Sequence, residues 1–125
     1  EEGFIFILGR IKDMLIRGGE NIYCTEVEDC LAAHPDVLEA AVFGVPERVL
    51  GEVVGATLRL RSGSHADPTR FQDHVRTRLA AHKVPVRIAF ETEPLPRNAA
   101  GKLLKRKIRA SFLDRLRSDR GDKIV

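Results

Sequence analysis

Two stretches of this 125-residue chain combine residue types that suit contact with an anionic ligand. In Pro94-Leu-Pro-Arg-Asn-Ala-Ala-Gly-Lys102, a lysine follows a glycine inside an irregular loop. Glycine lets backbone pass close to a ligand and aims the next side chain. In Arg17-Gly-Gly-Glu-Asn21, paired glycines allow positive φ and a tight turn, so that backbone itself can approach a partner. A third set, Cys24, Cys30 and His34, has the spacing C-x5-C-x3-H. A zinc site needs a fourth ligand and tighter pairing. The expectation is therefore that Cys30 packs in a helix and Cys24 sits in a loop. Two cysteines are too few for a disulfide framework in a chain of this length.

The charge is unevenly distributed. Residues 1–96 hold 11 Lys or Arg against 15 Asp or Glu, a net of −4, whereas residues 97–123 hold 10 against 3, a net of +7. A basic tail on an acidic body implies an anionic partner: nucleotide phosphate, coenzyme A, nucleic acid or another protein face. With one tyrosine and no tryptophan, platforms for stacking bases are thin. No apolar run approaches the roughly 20 residues needed to span a membrane. The acidic start, Glu1-Glu2, does not match a secretory signal. Together with the missing initial methionine, it leads us to expect a fragment or processed chain with a cytoplasmic home.

These residues must be positioned by a single small domain. Phe4 to Leu8 is expected to form a buried strand, and Met14-Leu-Ile16 with Asn21-Ile-Tyr23 a hairpin. Thr25-Glu-Val-Glu28 reads as a capping box opening a helix whose Val27, Cys30 and Leu31 share a face and which stops before Pro35. Val37 to Val45 suits a central strand, closed by Gly44 and Pro46. Alternation of Val54, Ala56, Leu58 and Leu60 with Gly55, Thr57, Arg59 and Arg61 predicts a half-exposed strand. Asp67-Pro68 caps a second amphipathic helix marked by Phe71, Val75 and Leu79. Val86, Ile88 and Phe90 predict a third strand, and Leu104, Ile108, Phe112 and Leu116 a last helix, basic on its outer face. The predicted class is α+β: an N-terminal β-hairpin and a short three-stranded sheet packed with helices.

Composition alone stops at that class. The stretch Gly9-Arg-Ile-Lys-Asp-Met-Leu-Ile-Arg-Gly-Gly-Glu-Asn-Ile22, followed by Thr25-Glu-Val-Glu28, and the stretch Pro94 to Lys102, followed by Leu103-Leu-Lys-Arg-Lys107, carry something more specific. In order and spacing they resemble the closing motifs of the adenylate-forming superfamily, which includes acyl-CoA synthetases, peptide-synthetase adenylation domains and beetle luciferases. Val42-Phe-Gly-Val-Pro-Glu47 and Gly51-Glu52 are similar to the family as well, so the resemblance covers nearly the whole chain. It implies a mobile carboxy-terminal lid, residues 13–125, with residues 1–12 forming the end of the connection to a large amino-terminal domain and the hinge. That large domain is expected to be the lid's partner.

In such enzymes a carboxylate attacks the α-phosphate of ATP and expels pyrophosphate. The pantetheine thiol of coenzyme A then displaces AMP. The resemblance makes Lys102 the adenylation lysine, able to neutralise charge between carboxylate and α-phosphate oxygens. It makes Lys12 the hinge residue, Arg10 a contact to the nucleotide ribose, and Gly18 and Gly19 part of the pantetheine tunnel after rotation. ATP and CoA are then substrates, with Mg2+ ligands expected in the large domain, whose absence should leave this chain inactive alone. Arg97, Lys105, Arg106, Lys107 and Arg109 are expected to lie on a solvated face. One departure is Cys24, where the family usually has proline. Within the superfamily the alternative is the lid of a peptide-synthetase adenylation domain. Outside it, the alternatives are a basic nucleic-acid-binding module and a dimerisation domain.

Overall fold

A computed structural model describes residues 13–118. The expected strand Phe4–Leu8 and the residues Arg10 and Lys12 lie outside the described residues. The elements run β1 (Met14–Arg17), β2 (Glu20–Tyr23), α1 (Cys24–Ala32), β3 (Val37–Glu47), β4 (Gly51–Leu60), α2 (Pro68–Arg76), a 3-10 turn (Ala81–Lys83), β5 (Arg87–Glu91) and α3 (Lys105–Ser118).

The α+β class stands, but hairpin and strands form one five-stranded sheet. β1 and β2 pair with Arg17 opposite Glu20, so Gly18 and Gly19 make a two-residue turn. Their φ values, +53° and +88°, are those a hairpin turn of matching twist requires and glycine adopts freely. The hairpin joins the rest through the pair Arg17 and Gly51. β4, expected to be half-exposed, is the central strand: it pairs antiparallel with β3 along its length and parallel with β5 on its other side. β3, expected to be central, is an edge strand. That is why Pro46 is tolerated inside it, since an edge residue need not donate to a neighbour.

Both faces of the sheet are covered. On one, Leu15, Ile22, Val42, Val54, Ala56, Leu58 and Ile88 pack under α1 and α2, which contribute Val27, Leu31, Phe71 and Val75. On the other, Ala41, Phe43, Val45, Val53 and Ala89 pack under Ile108 and Phe112 of α3. This second layer explains why alternation misled for β4. Thr57, on the face expected to see water, is 3% exposed beneath the groove beside α3.

Two local expectations fail at α1. The helix begins at Cys24, with Tyr23 as its N-cap and no side-chain capping bond. Thr25 is thus already inside the first turn and no capping box forms. Cys24 is buried in the helix start, not in a loop. Its backbone N–H donates to the Asp13 carbonyl at 2.9 Å, a bond that proline at this position would forfeit. The Asp67 cap of α2 is present, its carboxylate accepting from Thr69 N–H at 3.0 Å with Pro68 opening the helix.

Candidate functional site

Lys102 sits on a small hairpin between β5 and α3. Arg97 and Leu103 form an antiparallel bridge at its base, with Leu104 N–H donating to the Pro96 carbonyl just outside it. Asn98 N–H donates to the Lys102 carbonyl, and Gly101 N–H to the Asn98 carbonyl, both at 2.9 Å. The Asn98 side chain closes the loop from inside, its Oδ1 accepting from Ala100 and Lys102 N–H at 2.9 Å each. Gly101 has φ +86°, a conformation that a side chain would strain. The backbone of the loop is thus fixed while Lys102 itself remains exposed and makes no ion pair with the described residues.

The lysine lines an open groove of about 720 Å³ with Asp13, Met14, Glu52, Phe43, Gly44 and the start of α3. Glu52 Oε1 accepts from Ile16 N–H at 3.1 Å, tying β4 to the hairpin strand beside the groove. Gly18 and Gly19 do not line this groove. They stand at the far end of β1, roughly 10 Å of strand beyond Leu15, where Gly18 N–H donates to the Leu50 carbonyl at 2.9 Å. Between them, Met14, Ile16 and Tyr23 leave apolar surface half-exposed on the outer side of the hairpin.

The basic residues are not a uniform solvated face. Lys105 Nζ donates to Asp13 at 2.6 Å and to the Val42 carbonyl at 2.7 Å, and it pairs with Glu28, whose carboxylate also accepts from Val42 N–H at 2.9 Å. Burial pushes the Lys105 ammonium down, but its bonds to Asp13 and Glu28 outweigh that and hold it above the usual lysine range. Arg109 Nε donates to the Gly44 carbonyl at 2.7 Å, and Arg97 pairs with Glu39. Arg106 and Lys107 make no ion pair with the described residues; Arg97 is exposed as expected although paired, and the expectation of solvation is overturned for Lys105 and Arg109. Lys105 meets carboxylates of the acidic body, and Arg109 meets a carbonyl that β3 leaves unpaired on its outer side.

Cys24 belongs to the same cluster. Burial first, and then the neighbouring Asp13 carboxylate, push its thiol up to about 12, so it stays protonated. Among the described residues, no group of three or more His, Cys, Asp or Glu side chains is arranged to hold a metal ion. No helix among them is long and apolar enough to cross a membrane.

Sequence reading missed Asp13, Glu28 and Glu39 as partners of these cations. For Glu39 a signal existed: a lone acid inside the apolar run Val37 to Val45 must find donors or leave the sheet.

One groove is thus flanked by the first strand of the hairpin and by the lysine-bearing loop. Residues 26–102 match the family model "AMP-binding enzyme C-terminal domain", and the chain belongs to that family. It is 49% identical over 109 residues to a 2-succinylbenzoate–CoA ligase of Geobacillus kaustophilus, covering 87% of this chain and 22% of the ligase. It is 44% identical to a long-chain-fatty-acid–CoA ligase of Bacillus subtilis, covering 86% of this chain and 19% of that protein. Among solved structures, apo MatB from Rhodopseudomonas palustris superposes with a TM-score of 0.77 at 38% identity, over 86% of this chain and 21% of MatB. The o-succinylbenzoate CoA synthetase of Bacillus subtilis in complex with its acyl-adenylate gives 0.71 at 40% identity, over 77% and 19%. The chain therefore spans about a fifth of the length of the relatives it matches.

Proposed function

We propose that this chain is the mobile lid, residues 13–125, of an ATP-dependent acyl-CoA ligase acting in the cytoplasm, with residues 1–12 as connection and hinge. Its partner is the large domain of the same polypeptide. In the first half-reaction a carboxylate oxygen attacks the α-phosphorus of ATP, the bond to the β-phosphate oxygen breaks, and pyrophosphate leaves. Lys102 lies over the two reacting anions and offsets the charge that accumulates between them. Arg10 meets the ribose hydroxyls. The lid then turns about Lys12, and the Gly18-Gly19 turn lines the passage through which pantetheine enters. The thiolate sulfur attacks the acyl carbon and AMP departs with the bonding pair. Mg2+ would be held by the large domain. The acid is chosen there as well, and a fatty acid is the first to try.

The observation that carries this reading is the state of Lys102: an exposed ammonium on a hairpin whose backbone is fixed, while Arg97 and Lys105 nearby are held in ion pairs. An ammonium kept for function is left without an internal partner, and its loop is held in advance so that little ordering remains on binding. The distance between that loop and the glycine turn supports two working faces, one for each half-reaction.

The test uses the full-length protein, wild type and Lys102→Ala, with pyrophosphate release and conversion of supplied acyl-adenylate to acyl-CoA followed separately. The substitution should slow the first by about 10²-fold or more, the range for loss of a key electrostatic donor, and spare the second. If both proceed at the wild-type rate, Lys102 is a surface lysine and the assignment is wrong.

A further inference from the structure

The Lys102 hairpin is braced from outside by one side chain that reaches two ways. Arg97 Nη1 donates to the Gly101 carbonyl at 2.6 Å, the carbonyl immediately before Lys102. Its Nε and Nη2 donate to Glu39 Oε1 at 3.2 and 2.9 Å. Glu39 is itself fixed: its side chain is 10% exposed, and Oε2 accepts from Arg59 Nη1 and from Leu95 N–H, each at 3.1 Å. Leu95 lies at the entry to the same loop and is buried against the sheet. A chain of contacts thus runs from the edge strand β3 through Glu39 and Arg97 to the peptide that aims Lys102.

We propose that Glu39 and Arg97 are positioning residues for Lys102 in the adenylation step; this rests on the reading of Lys102 given above. Neither needs to touch the reacting atoms. Gly101 is the residue of the loop with a left-handed backbone, and the planar peptide that joins it to Lys102 is held on its N–H side by Asn98 Oδ1 and on its carbonyl side by Arg97. Arg97 holds it with one arm of a planar fork while the other arm grips a carboxylate that cannot move. An ammonium at position 97 would lack the geometry to make both contacts at once. The Asn98 bonds keep the turn closed, whereas the Arg97 bond fixes the closed turn to the body, so that when the domain moves the lysine moves with it as one piece.

The experiment compares Arg97→Ala, Glu39→Gln, Lys102→Ala and the double variant Arg97→Ala with Lys102→Ala, all in the full-length protein. The first two should lower kcat for pyrophosphate release by about 10 to 100-fold, the scale of a small misplacement of a catalytic group. KM for ATP should change little, and conversion of supplied acyl-adenylate to thioester should continue. Residues acting through Lys102 lose their effect once it is gone, so the double variant should be no slower than Lys102→Ala alone. Arg97 is 45% exposed, so its removal tests the idea even if Glu39→Gln does not fold. A wild-type rate for Arg97→Ala, full additivity in the double variant, or an equal loss in the thioester step would each overturn the proposal. A wild-type rate for Lys102→Ala would instead remove the reading beneath it.

Discussion

Replacing Lys105 by methionine keeps the apolar stem and deletes the ammonium. Lys105 is 23% exposed and Glu28 18%, while Asp13, at 43%, can turn to water. The substitution therefore strands one largely buried carboxylate and removes the donor from the Val42 carbonyl. Breaking a fully buried ion pair from one side costs about 3–5 kcal/mol. Partial exposure and the freedom of Asp13 reduce this to about 2 kcal/mol. For a domain near 100 residues that is roughly 8–16 °C in Tm. Urea unfolding of this chain followed by far-ultraviolet circular dichroism measures it, with Arg117→Ala as reference, since its pair with Asp114 is exposed on both sides and should change stability by less than about 0.5 kcal/mol. Adding Glu28→Gln to Lys105→Met should recover part of the loss by removing the stranded charge. If Lys105→Met behaves like Arg117→Ala, the cluster is an ordinary surface pair and the argument from burial fails.

Two further outcomes follow from the titrating groups. Burial pushes the Glu39 carboxyl up, but the Leu95 N–H and the Arg97 and Arg59 guanidinium groups outweigh that and hold it below its ordinary value of 4.5. Its contribution to stability is complete above that value and is lost as pH falls through the folded-state value, so Glu39→Gln should flatten the acid limb of a plot of urea midpoint against pH. A limb of unchanged slope would refute the assignment. The Cys24 thiol, held near 12, should resist iodoacetamide at pH 8 in the native chain while the partly exposed Cys30 reacts first; mass mapping before and after urea separates the two, and native labelling of Cys24 would show that its enclosure is misjudged.

Sequence pattern carried most of the fold because most elements obey local rules. Gly18-Gly19 demanded a hairpin, Asp67-Pro68 demanded a helix start, and Phe71 and Val75 faced the core as their spacing required. It failed where a distant element changed the local answer. The second face of β4 is buried because α3, about 50 positions later, lies over it, and no window around Thr57 contains that fact. Thr25 and Glu28 had the spacing of a cap, but Glu28 bonds Val42 and Lys105, fourteen and seventy-seven positions away. The loop of Lys102 was legible as a motif. Its bracing by Glu39 was not, because the two are separated in sequence and joined only when β3 enters the sheet. Arg10 and Lys12 lie outside the described residues, and their roles rest on resemblance.

The outer side of β3 has a consequence for how the domain meets other proteins. Its Val42 N–H and carbonyl and its Gly44 carbonyl face away from β4, and Glu28, Lys105 and Arg109 occupy all three. An open strand margin is a template on which foreign chains can align and aggregate. Here the template is blotted out over its middle by side chains from two helices. The domain cannot enlarge its sheet at that margin, and a partner that binds by adding a strand finds no register to read there. On the proposed reading as a lid, the domain parts from and rejoins the large domain in each turnover, which requires contacts that release cleanly. A closed margin suits that reading, because it leaves the hairpin and the lysine loop as the surfaces proposed to engage.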